Sequence, residues 1–410
     1  MDLCADKTKL LLMTSNSDQK FVPFNPISIN GQDIDFSDQA EHVGVIRSPD
    51  GNLPHILNRI VAHKRAMGAV LFSGLARSHR GNPAASLKIE KLRGMPVLFS
   101  GMASLVLDRT EVNIIDQHYT TTMRNLLKVC YGTPKSFVLF MSGSLPGEAL
   151  FHLRMLSLFG MISRLPNDPL NVRARHVLIT SKSTSKSWFS KLRDICLQYR
   201  LPHPLTLLET PLSKYAFKKL TKSLVIDYWE QKLRLEAAIL PSLSFFKPDF
   251  HSLTSPHPIF WTAGSNPYEV SKAIIQSRML SGRYRTAVLT KHWSSDRSGF
   301  CQATCCFQIE ESLEHILLGC PQYAPVREKL IRLWLNTTEP RIHQLVTSLL
   351  VGPRLSLLQF ILDASVNSTV ITLRQKSGTD PLKIIFHLTR TWCYTIHRER
   401  AKMLGNFSFA

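Results

Sequence analysis

Apolar and polar positions alternate with two different periods along this chain. "ISINGQDIDF" places Ile27 and Ile29 before Asn30-Gly31, and Ile34 and Phe36 after it. That is a period of two on either side of a dipeptide that accepts the positive φ angles of a two-residue turn, so a β-hairpin is predicted. "EHVGVI" (41–46) reads as a third strand. From Pro54 the period lengthens to that of a helix: Ile56, Ile60, Met67, Leu71 and Leu75 share one face, and His55, Arg59 and His63 recur at i, i+4 on another. The basic stripe has two readings, a solvated face or a surface turned towards phosphates.

Ser86 and Thr110 read as N-caps of two further helices, and "SLPGEALFHLRMLSLFGMISRL" as a helix entered at Pro146 or Gly147. The polar run "TSKSTSKS" (180–187) reads as a joint between units. After it come a helix over 187–199 and "PHPLTLLETP" as a loop. A long helix from Ser213 to Leu240 then stops at Pro241. Its first half carries Lys214, Lys218, Lys219 and Lys222, either a phosphate track or an ordinary solvated face. Ser265 or Asn266 followed by Pro267 opens the next helix.

The expected fold is therefore mainly α with a small N-terminal β-hairpin element. The expected segments are a hairpin region (1–50), a helical domain (51–179), a linker and helical connector (180–264), a basic, aromatic and cysteine-rich segment (265–330) and a helical tail (331–410). At 410 residues the chain exceeds one ordinary core.

Charge changes the picture. Fifty Lys and Arg against thirty Asp and Glu give a net +20, an excess that repels itself unless a polyanion neutralises it. RNA or DNA is the leading partner. A membrane is not expected as one, because the longest apolar stretch, Ala149 to Leu165, is interrupted by His152, Arg154 and Arg164. "MDLCADKTKL" lacks the pattern of a signal peptide, so the expectation is an intracellular, reducing setting, nucleus or cytoplasm, where cysteines serve as metal ligands or core thiols.

Candidate chemistry concentrates in "CQATCCFQIEESLEHILLGC" (301–320). Four residues separate Cys301 from Cys306, eight separate Cys306 from His315, and four separate His315 from Cys320. Three thiolates and an imidazole suit tetrahedral Zn²⁺, and four protein ligands leave no open position, so the zinc would be structural. Cys305 could stand in for Cys306 on spacing alone, and buried core thiols beside a surface histidine are the bland alternative. In an unbroken helix His315 and Cys320 would point apart, so Gly319 is expected to turn the chain in a left-handed C-cap, with Pro321 blocking continuation and Ser312 capping the helix that presents His315. Upstream, "RMLSGRYRTAVLTKHW" sets Arg278, Arg283, Arg285 and Lys291 beside Tyr284, His292 and Trp293. Cations interleaved with rings suit single-stranded nucleic acid, although such rings also serve cores.

No phosphate-binding P-loop, dinucleotide fingerprint, H-E-x-x-H or G-x-S-x-G occurs. His397-Arg398-Glu399 lacks the downstream P-C-x-x-C of a zinc deaminase. Asp33 and Asp35 make a D-x-D that belongs to the hairpin rather than to a two-metal centre.

Taken in order, several stretches resemble the C-terminal part of a non-LTR (LINE-type) retrotransposon reverse transcriptase. "DKTKLLLM" resembles the Lys-Thr segment that follows the catalytic Asp pair, and the Asn-Gly hairpin with "EHVGVI" resembles the primer grip. "LNRIVAHKRAMGAVLFSGLA" is similar to the first thumb helix, and "GSLPGEALFHLRMLSLFGMISRL" and "NPYEVSKAIIQSRMLSGRYRT" to downstream helices. "GFCQATCCFQIEESLEHILLGCP" is similar to the terminal Cys-Cys-His-Cys knuckle. The resemblance implies Cys301, Cys306, His315 and Cys320 as zinc ligands, Cys305 as a spare, and RNA or DNA as partner. It also implies that the polymerase carboxylates would lie before Met1. A nucleic-acid-binding, truncated product without polymerase or nuclease chemistry is therefore expected, and Mg²⁺ would matter only with the missing polymerase domain. The alternative expectation is one segment of a longer RNA-directed DNA polymerase.

Overall fold

The structure, a computed structural model, describes residues 9–11, 27–29, 31–34, 37–49, 51–72, 81–165, 168–180, 187–291, 298–303, 306, 308–337, 339–376 and 381–405. It is mainly α-helical with short antiparallel strands near the N-terminus, as the periodicity predicts. Two compact units form, each from three stretches of chain. The first contains Met1–Gly68, Glu90–Tyr119 and Pro146–Tyr228, and the second Ala69–Ile89, Thr120–Leu145 and Trp229–Ala410. Of the polar joint expected at 180–187, residues 181–186 lie outside the described residues.

In the first unit, strands β1 (Ser28–Ile29) and β2 (Gln32–Asp33) pair with Ile29 opposite Gln32, and Gly31 has φ 79°, as a two-residue turn requires. Ile34 is buried, while Asp35 and Phe36 lie outside the described residues. "EHVGVI" is not a lone third strand. Strands β3 (Ala40–His42) and β4 (Val45–Arg47) form a second hairpin about Val43 and Gly44, whose φ angles are 51° and 74°. A β-branched residue in the left-handed region is uncommon, which is why the turn is not legible from residue type.

Ile56, Ile60 and Met67 are buried on one face of the helix Leu53–Phe72. The next long helix, Arg109–Leu127, is entered through a capping box rather than through Thr110. The Asp108 carboxylate accepts the Glu111 N–H at 2.7 Å, and the Glu111 carboxylate accepts the Asp108 N–H at 2.9 Å. The helix Gly147–Ile162 follows Pro146 as expected and buries Phe151, Met155, Leu156 and Phe159. Each such side chain removed from water stabilises the unit by roughly 1.5–3 kcal/mol. The helix expected over 187–199 runs Trp188–Gln198 and is capped by Ser187, whose hydroxyl accepts the Ser190 N–H. "PHPLTLLETP" is not a loop throughout: Pro204–Glu209 is helical, started by the His203 ring, which accepts the Leu205 N–H.

In the second unit, Ser86 lies inside the helix Pro83–Ile89, whose cap is Asn82, its Oδ1 accepting the Ala84 N–H at 2.8 Å. Of the two openings expected, Ser265 and Asn266, it is Asn266 that caps Pro267–Leu280, and this helix packs against Leu382–Met403. Trp334, Trp392 and Phe360 fill the core beside them, the two indoles 4.8 Å apart between centroids. The guanidinium of Arg390 is buried with them but partnered, by Thr262 Oγ1 at 2.6 Å and by the Glu269 carboxylate at 3.2 Å. No described helix is long and apolar enough to cross a membrane.

Candidate metal centre

The first half of the centre is a small loop. Phe300 and Glu310 form an isolated antiparallel bridge, the Cys301 N–H donates to the Ile309 carbonyl at 2.8 Å, and the Cys306 N–H donates to the Ala303 carbonyl at 3.0 Å. These bonds turn both thiols inward. The second half begins at Ser312, whose hydroxyl accepts the His315 N–H at 3.1 Å, the capping role predicted for it.

The return from His315 to Cys320 differs from expectation. Gly319 does not adopt a positive φ. Instead His315–Gly319 forms a single π turn, closed by the Cys320 N–H donating to the His315 carbonyl at 2.6 Å. An i→i+5 turn returns residue i+5 beside residue i, so no left-handed cap is needed. Glycine at 319 answers to space: a Cβ there would lie 3.3 Å from His315 Nδ1.

Cys301, Cys306, His315 and Cys320 thus bring one ligand atom each within 4.8 Å of one another. The Cys320 Sγ lies 3.9 Å from Cys301 Sγ and 3.6 Å from Cys306 Sγ. Two thiolates on a tetrahedral zinc, each at about 2.3 Å, stand about 3.8 Å apart. His315 Nε2 is shut off from solvent and has no hydrogen-bond partner among the described residues, so the donor set is one imidazole nitrogen and three thiols. A buried cluster of this kind can hold a metal ion, and its donors fit zinc. Burial raises the Cys320 thiol and lowers His315, and a bound cation would favour the thiolate form of the sulfur donors. Cys306 is the cysteine that completes the set, and Cys305 lies outside the described residues.

The helix Leu382–Met403 braces this loop from outside the donor set. Trp392 Nε1 donates to the Leu317 carbonyl at 3.3 Å. Arg400 forks onto Glu311 at 2.9 and 2.7 Å, and Glu311 also accepts the Ala287 N–H at 2.6 Å. Outer partners of this kind hold ligands in place. Nothing in the local sequence of the loop announces them, because they come from 75 and 89 positions away.

The cationic candidates divide. Lys214, Lys218 and Lys222 are exposed at i, i+4 spacing along the helix Lys214–Ala238, in the first unit. Arg59 is half-buried and donates to the Gly44 carbonyl at 3.3 Å. His63 faces inward and is 1% exposed, so neither surface reading of its stripe holds for it. Its Nε2 donates to Glu90 at 3.1 Å and its Nδ1 lies 2.9 Å from His118 Nε2, a buried row that only the fold assembles. His55 is buried too, its Nδ1 accepting the Ile46 N–H. Tyr284 is a wall residue rather than an open stacking ring, 8% exposed and bonded through its hydroxyl to His397 Nδ1 at 2.9 Å. Arg278 and Arg283 are half-buried and Arg285 is exposed, while His292 and Trp293 lie outside the described residues.

A second cluster escaped sequence reading. His251, His257 and Asp363 bring ligand atoms within 4.8 Å of one another, beside a cavity of about 760 Å³. Both Nε2 atoms lie near one Asp363 oxygen, at 3.1 and 3.3 Å, and the other oxygen accepts the Ser365 hydroxyl at 2.6 Å. His257 Nδ1 accepts the Ile259 N–H at 3.1 Å, which puts the ring proton on Nε2. As the structure stands, the trio forms a hydrogen-bonded knot centred on Asp363. Burial opposes the Asp363 charge, yet His257 and His251 hold its carboxyl well below the usual range.

Comparison with protein families, with curated proteins and with solved structures returns no match to this chain.

Proposed function

We propose that this chain binds nucleic acid, RNA or DNA, as a protein of the non-LTR retrotransposon reverse-transcriptase type. A structural zinc pins the loop at 301–320 of the second unit, and exposed cations supply the phosphate contacts. The carrying observation is the buried Cys301, Cys306, His315 and Cys320 set, with the spacing of the knuckle that the sequence resembles and a donor geometry that suits tetrahedral zinc. The net charge of +20 and the exposed Lys214, Lys218 and Lys222 row support the same reading. The zinc holds structure and activates no water, since all four positions belong to protein. Binding rather than catalysis is therefore the proposed activity.

The test is affinity of the zinc-loaded chain for single-stranded RNA and DNA as a function of salt. Log K should fall steeply and linearly with log[salt], with a slope of about −0.7 per phosphate contacted on a single strand. A flat dependence, or magnesium-dependent primer extension by the purified chain, would overturn the reading.

A further inference from the structure

In the second unit, the cavity of about 760 Å³ beside the Asp363 knot has a histidine in its wall that is held at one ring nitrogen only. The Asp363 carboxylate takes four donors: the Ser365 N–H and hydroxyl on one oxygen, and Nε2 of His251 and of His257 on the other. So many donors keep it charged, and a charged carboxylate only accepts, so both rings present their protons at Nε2. His257 is then occupied at both nitrogens, for its Nδ1 accepts the Ile259 N–H. His251 is not: its Nδ1 has no hydrogen-bond partner among the described residues and is not closed off from solvent. Stacking on Phe246, 5.3 Å between centroids and 12° from parallel, fixes the ring in place. An imidazole tied to a carboxylate at one nitrogen, with a lone pair on the other, is the arrangement of a general base.

The rest of the wall says what such a base would act on. Phe140, Phe250, Trp261 and Ile371 give it an apolar side. Glu230 and Asp249 share one cation, Arg234, at 2.8 and 3.6 Å. With Arg374 the wall charges cancel, and Asp363 lies behind them, so a neutral substrate suits the cavity better than an anion. Arg374, exposed on the helix Ser368–Lys376, has no ion pair among the described residues and is left to meet negative charge that develops during reaction. The geometry points to a hydrolytic site for a neutral carboxylic ester with an apolar body, His251 acting as the base and Arg374 as the partner of the oxyanion. Nδ1 takes a proton from water as the water oxygen bonds to the ester carbon, and the carbonyl electron pair moves onto its oxygen beside Arg374. Return of that pair breaks the bond to the alcohol oxygen, which leaves with the proton held on Nδ1. Water and ester become acid and alcohol, and the ring ends as it began. This activity uses neither the metal loop nor the lysine row, so it stands apart from the nucleic-acid reading.

The experiment mixes the full zinc-loaded chain with para-nitrophenyl butyrate and follows release of nitrophenolate by absorbance. Hydrolysis should saturate with substrate. His251→Gln should lower kcat/KM by at least about 100-fold, the lower end of what a positioned base contributes, with melting temperature and zinc content unchanged. Arg374→Gln should lower kcat more than it raises KM, as loss of a contact made only in the transition state does. Imidazoles added to His251→Gly should restore part of the rate in the order of their basicity, which a space-filling role would not do. If both His251 variants fail to fold, the exposed Arg374→Gln decides alone. Hydrolysis that does not saturate, a His251→Gln variant as fast as the unaltered chain, or an unchanged kcat in Arg374→Gln would each overturn the assignment.

Discussion

At the scale of single residues, the metal centre turns on which thiol faces inward. Cys306 Sγ sits 3.6 Å from Cys320 Sγ and is 1% exposed, so its removal takes away one of four donors. Cys306→Ser should lower zinc affinity by more than about 100-fold, the upper end of what loss of a mere outer partner costs, as measured by competition with a chromogenic chelator. Cys305→Ser should retain one equivalent; loss of the metal there with retention in Cys306→Ser would reverse the assignment. Histidines show the limit of reading residues one at a time. His55, Arg59 and His63 share a helical face, and that periodicity is genuine. Whether the face meets water or Glu90 and His118 depends on chain that returns from some thirty to fifty residues away, which no local pattern contains.

At the scale of elements, short polar devices hold the ends and joints. Asp108→Ala removes the Asp108 side of its capping box, and should destabilise the first unit by about 1 kcal/mol in urea titration. The Asp363 knot is worth more, because it is fully buried and ties the stretch 251–257 to the chain at 363. Asp363→Asn would turn one acceptor oxygen into an amide donor facing a donor, and should cost the second unit about 3–5 kcal/mol. A change under about 1 kcal/mol would show that the knot is dispensable. The π turn teaches a related lesson. Spacing alone already required His315 and Cys320 to come together, and only the backbone path was left open between a left-handed glycine and a wider turn.

At the scale of the whole molecule, buried titratable groups set a pH profile. Burial, helped by neighbouring positive groups, lowers His118 to about 4, His152 to about 3 and His397 to about 4, from an ordinary 6.5. Such groups favour folding when neutral, so their contribution is complete above pH 6.5 and declines as acid protonates the unfolded chain first. Glu269 adds a second window: burial opposes its charge, but His387 and Lys272 hold it at about 2, so its contribution is present above pH 4.5 and lost as pH falls towards 2. Denaturant midpoints should therefore be level from pH 8 to about 6.5, fall between about 6.5 and 4, and fall further below that. A midpoint that rises on acidification from pH 6.5 to 5 would contradict the burial of these histidines.

What the sequence determined by itself was local or additive: helical periods, the Asn-Gly hairpin, the opening of a helix at Asn266 and the cap at Ser312, the net charge, and a ligand spacing confined to twenty residues. Each depends on neighbours a few positions away or on a sum over the chain, so residue order suffices. The tertiary structure decided what depends on distant partners: the grouping into two discontinuous units, the inward turn of His63 and Tyr284, the Asp363 knot and the cavity beside it, and the Trp392 and Arg400 braces of the metal loop. The physical reason is that burial and pairing are properties of proximity in space. A histidine or arginine has the same letters whether water, a carboxylate or a metal ion awaits it.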